Sequence, residues 1–428
     1  MLNAVNKEFL IDVGKELVRV GILEKGILTD LIIEYFQDRH LVGNLYKGRV
    51  NAILPGMQAA FVDIGIGRDA FLPLTEPIDD ILADEEGGAV VGKLKKVFRK
   101  VFHAKKQLKR GQEILVQVTK DAVGKKGPRL TTSISITGRN LVYMPTVNHF
   151  GVSKKIEHGK ERVRLRTIVK KIKSHGSGFI VRTAGEGKPL EEFQAEAKVL
   201  ASMWENIKHR AAELPISTLV YEDLDTVLKV VRDNYLPGDK IVINSDFEYQ
   251  KLMGFVQSMI PAARGKIHHY QDRNPLFVAH GIEQQIEQAL QRRVKLKSGG
   301  HIVIDEAEAL TAIDVNTGKF IGTHNLEETV FRTNLEAAEE VARQVRLRSI
   351  GGIIIVDFID MESRNHQDRV MKTFENAFAT DKAKVNIIPL TEIGLVEMTR
   401  RRMRPSLSKI LTTTCPHCGG TGSLRKKA

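Results

Sequence analysis

Hydrophobic and polar positions alternate with a period of two along the first third of the chain, which predicts short β-strands. The first strands form a meander at 9–13, 17–20 and 31–35, with Gly14 and Gly26 at its turns. A second, glycine-rich set lies at 42–50, 59–65, 70–74 and 113–119. Short strands with frequent glycines suit a small closed β-barrel.

The remainder of the chain mixes helical and strand periods. Helices are predicted at 191–213, 225–235, 326–349 and 365–379, and a further helix begins at 286. Strands are predicted at 240–243, 353–358 and 385–388, and a hairpin pairs 301–305 with 310–315. Gly351 and Gly352 follow the long third helix as a stop signal. The pattern predicts an α+β chain of several domains.

Composition places the chain among ordinary globular proteins. It has 428 residues, 42% hydrophobic and 27% charged, so it can form more than one hydrophobic core and is not disordered as a whole. The longest apolar run, 353–356, is far too short to cross a bilayer, so no membrane partner is expected. The first residues lack a basic-then-apolar leader, which favours a cytoplasmic protein.

The charge balance changes this picture by favouring a polyanionic partner. The net charge is +13, and the segment 93–110 holds nine Lys and Arg residues and no acid. Such a segment is either mobile solvated surface or a nucleic-acid contact. The chain has only two cysteines, which excludes a disulfide framework.

Two aspartates end apolar strands and form the first candidate site. Asp314 follows Ala312-Ile313, and Asp357 follows Ile355-Val356. Carboxylates in such surroundings are costly unless they are paired or bind a hard cation such as Mg²⁺. Asn316 lies on the same side of its strand as Asp314 and could bind a phosphate or hold a water. Asp305 and Asp360 compete as ligands, and the alternative is that all are turn formers or salt-bridge partners.

The pair Cys415 and Cys418, followed by Gly419-Gly420-Thr421-Gly422, has the spacing of half a zinc knuckle. A structural Zn²⁺ needs four ligands, so either distant histidines complete the site or two chains contribute two thiolates each. A redox CxxC pair is the alternative, although the expected βαβ context is absent.

Two further groups could contact RNA. Phe61 and Phe71 flank a glycine turn in the predicted barrel, where aromatic rings can stack on unpaired bases, with Lys47, Arg49 and Lys120 able to meet the backbone. Packing in the core is the alternative for both rings. Arg182-Thr183, with the loop 124–127, could form an anion pocket, although this signal is weak by itself.

The chain resembles the ribonuclease E/G endoribonucleases along almost its whole length. The most specific matches are Thr311–Asn316, Thr333–Ala338, Leu347-Arg348 with Gly351–Met361, Gly394–Arg400 and Cys415–Gly422. The resemblance implies an RNase H-like domain (1–38 and 217–286) split by an OB-fold RNA-binding domain (39–122) and a 5′-sensor region (123–216). A DNase I-like catalytic domain (287–409) and a zinc link (410–428) follow.

The resemblance also implies a role for each candidate residue. Asp314 and Asp357 match the Mg²⁺ ligands and Asn316 the catalytic amide. Arg182 and Thr183 match the residues that recognise a 5′-monophosphate, and Lys384 stands where the family has a basic residue, although Lys cannot form the forked contact of Arg. Phe61, Phe71 and Lys120 match RNA-contacting positions of the OB domain. Cys415 and Cys418 match thiolates that two chains share around one Zn²⁺.

We therefore expect a Mg²⁺-dependent endoribonuclease that cleaves single-stranded, A/U-rich RNA, prefers a 5′-monophosphate end and leaves 5′-phosphate and 3′-hydroxyl products. The implied substrates are ribosomal RNA precursors and messenger RNA. The alternative is a non-catalytic RNA-binding protein that retains the fold. The sequence stops at Ala428, short of the family's usual C-terminal small domain, so a zinc-linked homodimer is expected rather than a tetramer.

Overall fold

The computed structural model describes residues 6–38, 40–74, 108–122, 124, 126–172, 176–318, 326–379, 381–388, 391 and 394–424. The chain divides into two compact units. The first contains Met1–Tyr35, Gly238–Tyr249 and Lys266–Ala428, and the second contains Phe36–Pro237 and Gln250–Gly265. Most of the basic segment 93–110 lies outside the described residues.

The strands of the described residues are, in chain order, β1 (Lys7–Val13), β2 (Leu17–Glu24), β3 (Ile27–Tyr35), β4 (Leu45–Leu54), β5 (Ala59–Asp63), β6 (Ala70–Pro73), β7 (Glu113–Lys120), β8 (Arg129–Thr131), β9 (Ile136–Thr137), β10 (Leu141–Met144), β11 (Phe150–Val152), β12 (Gly178–Val181), β13 (Thr218–Tyr221), β14 (Lys240–Ile243), β15 (Ile267–His269), β16 (Arg293–Lys295), β17 (His301–Glu306), β18 (Leu310–Asn316), β19 (Gly352–Asp357), β20 (Val385–Ile388) and β21 (Leu395–Arg400).

The helices of the described residues are, in chain order, α1 (Gly159–Lys171), α2 (Leu190–Glu213), α3 (Thr226–Asn234), α4 (Asp246–Met259), α5 (Leu276–Ala279), α6 (Ile282–Leu290), α7 (Leu326–Leu347), α8 (Arg364–Phe378) and α9 (Leu407–Leu411). None of them is both long and apolar enough to cross a membrane.

The first sheet of the first unit contains the predicted meander. Its strand order is β15-β14-β1-β2-β3, with β1, β2 and β3 antiparallel and β14 and β15 added in parallel. Alternate positions such as Leu10 and Leu28 enter a core that also contains Phe277 and Ile286. The meander predicted from the period-two pattern is confirmed.

The second sheet of the first unit has the order β16-β17-β18-β19-β21-β20. One of its faces packs on α7 and α8 in a single core that contains Ile313, Val356, Val341 and Phe374. The residues that alternate with the core positions on β18 and β19 are exposed or half-buried, so this sheet has a second face that is open to solvent. Its polar end, at Asp314, Asn316 and Asp357, is called the polar face below.

The second unit contains a closed barrel. Strands β4, β5, β6, β8 and β7 follow one another, and β7 pairs back to β4. The barrel core includes Val50, Val62 and Val116. Five closed strands are consistent with an OB-fold, so the predicted barrel is confirmed. Strand β13, which is far along the chain from the barrel strands, also pairs with β4. The hydrophobic pattern of the sequence did not predict this pairing.

A four-stranded sheet, ordered β11-β12-β10-β9, forms the rest of the second unit's framework. Its core includes Tyr143 and Phe179 from the sheet, Leu165 from α1 and Phe193 and Leu200 from α2. Strands β11 and β12 are parallel, so both end at the same edge. The mixed α+β class predicted from the sequence is confirmed.

Candidate functional site

The two strand-end aspartates lie side by side. Strands β18 and β19 are parallel, and Asp314 is the register partner of Asp357. Their neighbours Ile313, Val315 and Val356 point into the core, whereas both aspartates are exposed on the polar face. Neighbouring strands are roughly 4.8 Å apart, so the two carboxylates project from adjacent backbone positions.

The charges of these aspartates repel each other. Burial raises the pKa of Asp357 above its ordinary value, and the nearby negative charges of Asp314 and Asp360 raise it further. Two carboxylates held close together favour either protonation of one of them or binding of a cation between them. The polar face therefore has a site where a divalent cation would relieve repulsion.

The two carboxylates at this site suit Mg²⁺ better than a cation that takes all of its ligands from the protein. Among the described residues, no group of three or more His, Cys, Asp or Glu side chains is arranged to hold a metal. Mg²⁺ is commonly held by one or two carboxylates and completes its shell with waters and substrate phosphate oxygens. Asp314 and Asp357 would be the protein ligands in such a site.

Asp305 and Asp360, the two other acids considered as metal ligands, have different contacts from the aspartate pair. Asp305 forms a two-pronged ion pair with Arg292, with 2.6 Å between Arg292 Nη2 and Asp305 Oδ2. The hydrogen bonds from Arg292 hold the pKa of Asp305 below its usual range, so this acid is already compensated. Asp360 lies close enough to Asp357 to raise its pKa, and a side chain at Gly394 would contact the Asp360 carboxylate.

Asn316 lies beside Asp314, as the sequence predicted. Its Nδ2 donates to Asp314 Oδ2 at 2.7 Å, which fixes the amide on the polar face. His301, the register partner of Asn316 on β17, was not predicted from the sequence. Arg293 Nη2 donates to its Nδ1 at 3.1 Å. Burial and the charge of Arg293 lower the pKa of His301, against the opposing charge of Asp314.

The barrel carries a row of aromatic and basic residues across four strands. Phe61 pairs with Phe71, Phe71 with Arg129, and Arg129 with Lys120. The phenyl rings meet edge to face with centroids 6.1 Å apart. Both are half-buried, whereas their neighbours Ala60, Val62, Ala70 and Leu72 are buried. The rings therefore lie on the outer surface and not in the barrel core.

The remaining basic candidates of the barrel differ in their contacts. Lys47 Nζ donates to the Leu214 carbonyl at 3.0 Å and lies 3.4 Å from Glu113, so it serves packing within the unit. Arg49 is exposed. Arg129, which the sequence analysis did not single out, occupies the row because β8 bridges β6 and β7.

Arg182 and Thr183 follow β12 at the edge where β11 also ends. Arg182 Nη1 donates to the Gly138 carbonyl at 2.7 Å, to the Arg139 carbonyl at 3.2 Å and to Asp233 Oδ1 at 2.8 Å. Among the described residues, nothing accepts a hydrogen bond from its Nε or Nη2. The Thr183 hydroxyl lies 3.1 Å from the Ser153 hydroxyl. One edge of the guanidinium is therefore available to an anion, together with one hydroxyl hydrogen, since one of the two hydroxyls donates to the other.

Asp233 fixes the orientation of this arginine. Burial alone would raise the pKa of Asp233, but hydrogen bonds and charges from Arg232 and Arg182 outweigh it and hold the pKa well below its usual range. Asp233 is therefore ionised at neutral pH and forms an ion pair with Arg182. This partner could not be predicted from the sequence, because α3 is more than forty residues away along the chain.

Two other predicted members of the anion pocket have local contacts within their own units. In the loop 124–127, the Gly124 carbonyl accepts from Arg68 at 3.1 Å and Gly127 packs on the Asp69 backbone, so these residues lie against the barrel. Lys384 precedes β20 in the first unit, and its carbonyl accepts from the Arg401 amide at 3.0 Å.

The two cysteines lie in a turn that is closed by backbone hydrogen bonds. The Gly419 amide donates to the Cys415 carbonyl at 2.9 Å, and Thr421 donates to the Cys418 carbonyl at 3.1 Å. The amides of Gly422 and Gly420, followed by the Cys415 side chain, lower the pKa of Cys418. Zinc binds thiolates, so this turn suits two of the four ligands of a zinc site.

These features define a chain with a carboxylate pair on an open sheet face and a barrel that presents aromatic and basic residues, which is the general form of a nucleic-acid-processing enzyme.

The model of the Ribonuclease E/G family matches residues 135–403. Ribonuclease G of Escherichia coli (strain K12) is 42% identical over 419 residues, which cover 98% of this chain and 84% of that protein.

Two further relatives agree with this match. Ribonuclease G of Haemophilus influenzae is 40% identical over 98% of this chain and 84% of its own length. Ribonuclease E of the same organism is 40% identical over 96% of this chain and 43% of its own length. The chain belongs to the ribonuclease E/G family and is an endoribonuclease, with the role in RNA processing and decay that this family has.

Proposed function

We propose that the chain is a Mg²⁺-dependent endoribonuclease for single-stranded, A/U-rich RNA that prefers a 5′-monophosphate end. Ribosomal RNA precursors and messenger RNA are its proposed substrates. The observation that carries the proposal is the register of β18 with β19, which brings Asp314 and Asp357 together on an exposed face. The proposed domain assignment follows the boundaries given from the sequence, with the DNase I-like domain at 287–409 as the catalytic one.

The residues at the carboxylate pair divide the chemistry between them. When bound, Mg²⁺ supplies charge stabilisation at a phosphoryl group and lowers the pKa of a water. Asp314 and Asp357 hold the ion, and the Asn316 amide, fixed by its bond to Asp314, donates to a phosphate oxygen or orients the water. In the hydrolysis the water oxygen would add to phosphorus while the bond from phosphorus to the 3′-oxygen breaks, and the proton released by the water would be taken up by the 3′-oxygen. The products carry a 5′-phosphate and a 3′-hydroxyl.

The barrel row provides the RNA-binding surface in this proposal. Phe61 and Phe71 offer ring faces and edges on which unpaired bases can stack, and stacking tolerates any base. Lys120 and Arg129, next in the same row, carry the positive charge that a phosphate backbone requires. An aromatic and basic row on the outside of a barrel is difficult to explain by core packing.

Arg182 and Thr183 are proposed to recognise the 5′-monophosphate. Nη1 of Arg182 is occupied by three acceptors, so Nε and Nη2 present the forked edge that suits two phosphate oxygens. In the pair of hydroxyls formed by Thr183 and Ser153, the one that does not donate to the other can donate to a third oxygen. Lys384 is proposed, as the family resemblance implies, as a basic residue for recognition of the 5′ end.

The cysteine turn is proposed to link two chains. One chain offers Cys415 and Cys418, so two chains together supply the four thiolates of a tetrahedral Zn²⁺ site. This makes the zinc structural and the enzyme a homodimer.

Cleavage rates on matched oligonucleotides that differ only at the 5′ end test the proposed function. We expect faster cleavage of the 5′-monophosphate form than of the 5′-triphosphate form, and complete dependence on Mg²⁺. Equal rates would contradict the sensor, and cleavage in EDTA would contradict the metal site. The 5′ end of the downstream product, read by its susceptibility to a 5′-phosphate-dependent exonuclease, tests the direction of bond cleavage.

A further inference from the structure

The loop that joins β19 to α8 connects the two acids Asp357 and Asp360. It begins directly after Asp357, contains Asp360 and ends at Ser363 before α8. The backbone of this loop therefore sets where Asp360 lies relative to Asp357, and side chains that hold the backbone also hold these acids in place.

Asn334 on α7 provides one such anchor. Its Nδ2 donates to the Ile359 carbonyl at 2.8 Å, and its Oδ1 accepts from the Ile359 amide at 3.1 Å. Asn334 is fully buried, so these bonds form without competing water. A side-chain amide carries both a donor and an acceptor and can satisfy the backbone N–H and C=O of one residue, whereas ionised aspartate lacks the donor and leucine lacks both groups.

Glu327, seven residues earlier on the same helix, provides a second anchor. Its Oε2 accepts from the Glu362 amide at 3.1 Å, and its Oε1 accepts from the Ser363 amide at 3.2 Å. The ring of His366 lies 2.7 Å from the same Oε1 and stacks on Phe331. Positions seven apart lie on one face of a helix, so a single face of α7 contacts both ends of the loop.

The residues on both sides of Asp360 are held by hydrogen bonds to side chains. Ile359 precedes it and is held on both backbone groups, and the Met361 carbonyl that follows accepts from Gln367 at 2.7 Å. We infer that Asn334 is a positioning residue of this endoribonuclease, which with Glu327 fixes the 357–363 loop so that Asp357 and Asp360 keep their places. This inference rests on the proposed function of the carboxylate pair, and it gives the Thr333–Ala338 motif a physical role.

The test uses matched variants of the full chain. Asn334→Asp removes the donor, and Asn334→Leu removes both groups while it retains apolar volume. Thr333→Val is the control, because Thr333 is equally buried and its hydroxyl bonds only to the Thr329 carbonyl within α7. Glu327→Gln, at a partly exposed site, tests the second anchor without a large risk to folding.

Two measurements separate positioning from general stability. Kinetics on a 5′-monophosphorylated oligonucleotide should show kcat reduced by about 10- to 100-fold in both Asn334 variants, with KM changed by less than about threefold, because displacement of catalytic groups by ~1 Å costs rate more than binding. Hydrogen exchange of a peptide covering 358–363 should be faster in these variants and in Glu327→Gln, and unchanged in Thr333→Val.

The inference is overturned if Asn334→Asp and Glu327→Gln cleave as fast as Thr333→Val, or if exchange of 358–363 stays at the wild-type rate. If neither Asn334 variant folds, Glu327→Gln decides between these results. Hydrogen exchange reports on the anchor even if the wild-type chain does not cleave the oligonucleotide, so a failure of the anchor and a failure of the proposed nuclease are distinguishable.

Discussion

At the residue scale, the repulsion within the aspartate pair lowers the stability of the metal-free protein and favours binding of a cation. The pKa of Asp357 is raised because burial and two nearby acids disfavour its charge. The pKa of such a carboxyl is higher in the folded chain than in the unfolded chain. Its ionisation therefore lowers the free energy of unfolding as the pH rises above the pKa of the unfolded chain. The repulsion that favours a cation is therefore a cost to the metal-free protein.

Asp357→Asn should remove this cost. Without divalent ions at pH 7, we expect Tm to rise by about 1–3 °C, a modest figure because the side chain is largely solvated. The difference should vanish below the ordinary aspartate pKa of 3.8, where wild-type Asp357 is protonated in both states. Thermal scans with and without Mg²⁺ check this, since the ion should raise Tm of the wild type only. Destabilisation of the variant at pH 7 would contradict the account.

Arg182 is the residue on which 5′-end preference depends. Arg182→Lys keeps the charge but loses the fork, so we expect the advantage of a 5′-monophosphate over a 5′-hydroxyl to fall by roughly 10-fold or more, given about 1.5–3 kcal/mol for bonds to charged groups. The rate on the 5′-hydroxyl substrate should not change. An unaltered preference in Arg182→Lys, measured by kcat/KM on both substrates, would exclude Arg182 as the sensor.

At the element scale, strand pairing decides which residues meet. The alternation on β17, β18 and β19 predicted that Asp314 and Asn316 share a face, and that expectation is confirmed by their 2.7 Å hydrogen bond. The register that sets Asp314 beside Asp357 could not be read from the pattern, because parallel pairing across an intervening helix leaves no local signal. The family resemblance supplied what periodicity could not.

Residues that act through long-range pairing were missed for the same reason. Arg129 joins the aromatic row only because the short strand β8 bridges β6 and β7. Asp233 reaches Arg182 from a helix in a different part of the sequence. Asn334 was noticed as part of a motif, but its hydrogen bonds to Ile359 depend on how α7 packs. Each role is a property of tertiary contact and not of local sequence.

The barrel row makes a prediction at this scale. Phe61→Leu and Phe71→Leu retain apolar bulk at half-buried positions but remove the stacking surface, so affinity for single-stranded RNA should fall by about 1–3 kcal/mol for each base that loses its stack. Binding titrations without Mg²⁺ check this. Val163→Ala, at an exposed position on α1, is the control and should leave affinity unchanged.

Arg129→Gln tests the basic end of the same row. If Arg129 meets a phosphate, affinity should fall for every sequence, and the slope of log affinity against log salt should decrease by about 1. Titrations at several salt concentrations measure that slope. A slope equal to that of the wild type would show that Arg129 does not neutralise a phosphate.

At the scale of the whole molecule, zinc is expected to set the assembly. Zinc analysis should give about half an equivalent per chain, because one four-thiolate site needs two chains. The double variant Cys415→Ser with Cys418→Ser should lose the zinc and sediment as a monomer. One full equivalent per chain would indicate that other ligands of the same chain complete the site, and a zinc-free dimer would contradict the link.

The central claim is that Asp314 and Asp357 together hold the ion that the cleavage reaction requires. The most direct measurement compares wild type and Asp314→Asn for both RNA binding and Mg²⁺-dependent cleavage of one 5′-monophosphorylated, single-stranded oligonucleotide. We expect the variant to bind RNA within about threefold of the wild type and to cleave it at least about 1,000-fold more slowly. Cleavage by Asp314→Asn at the wild-type rate would contradict the account.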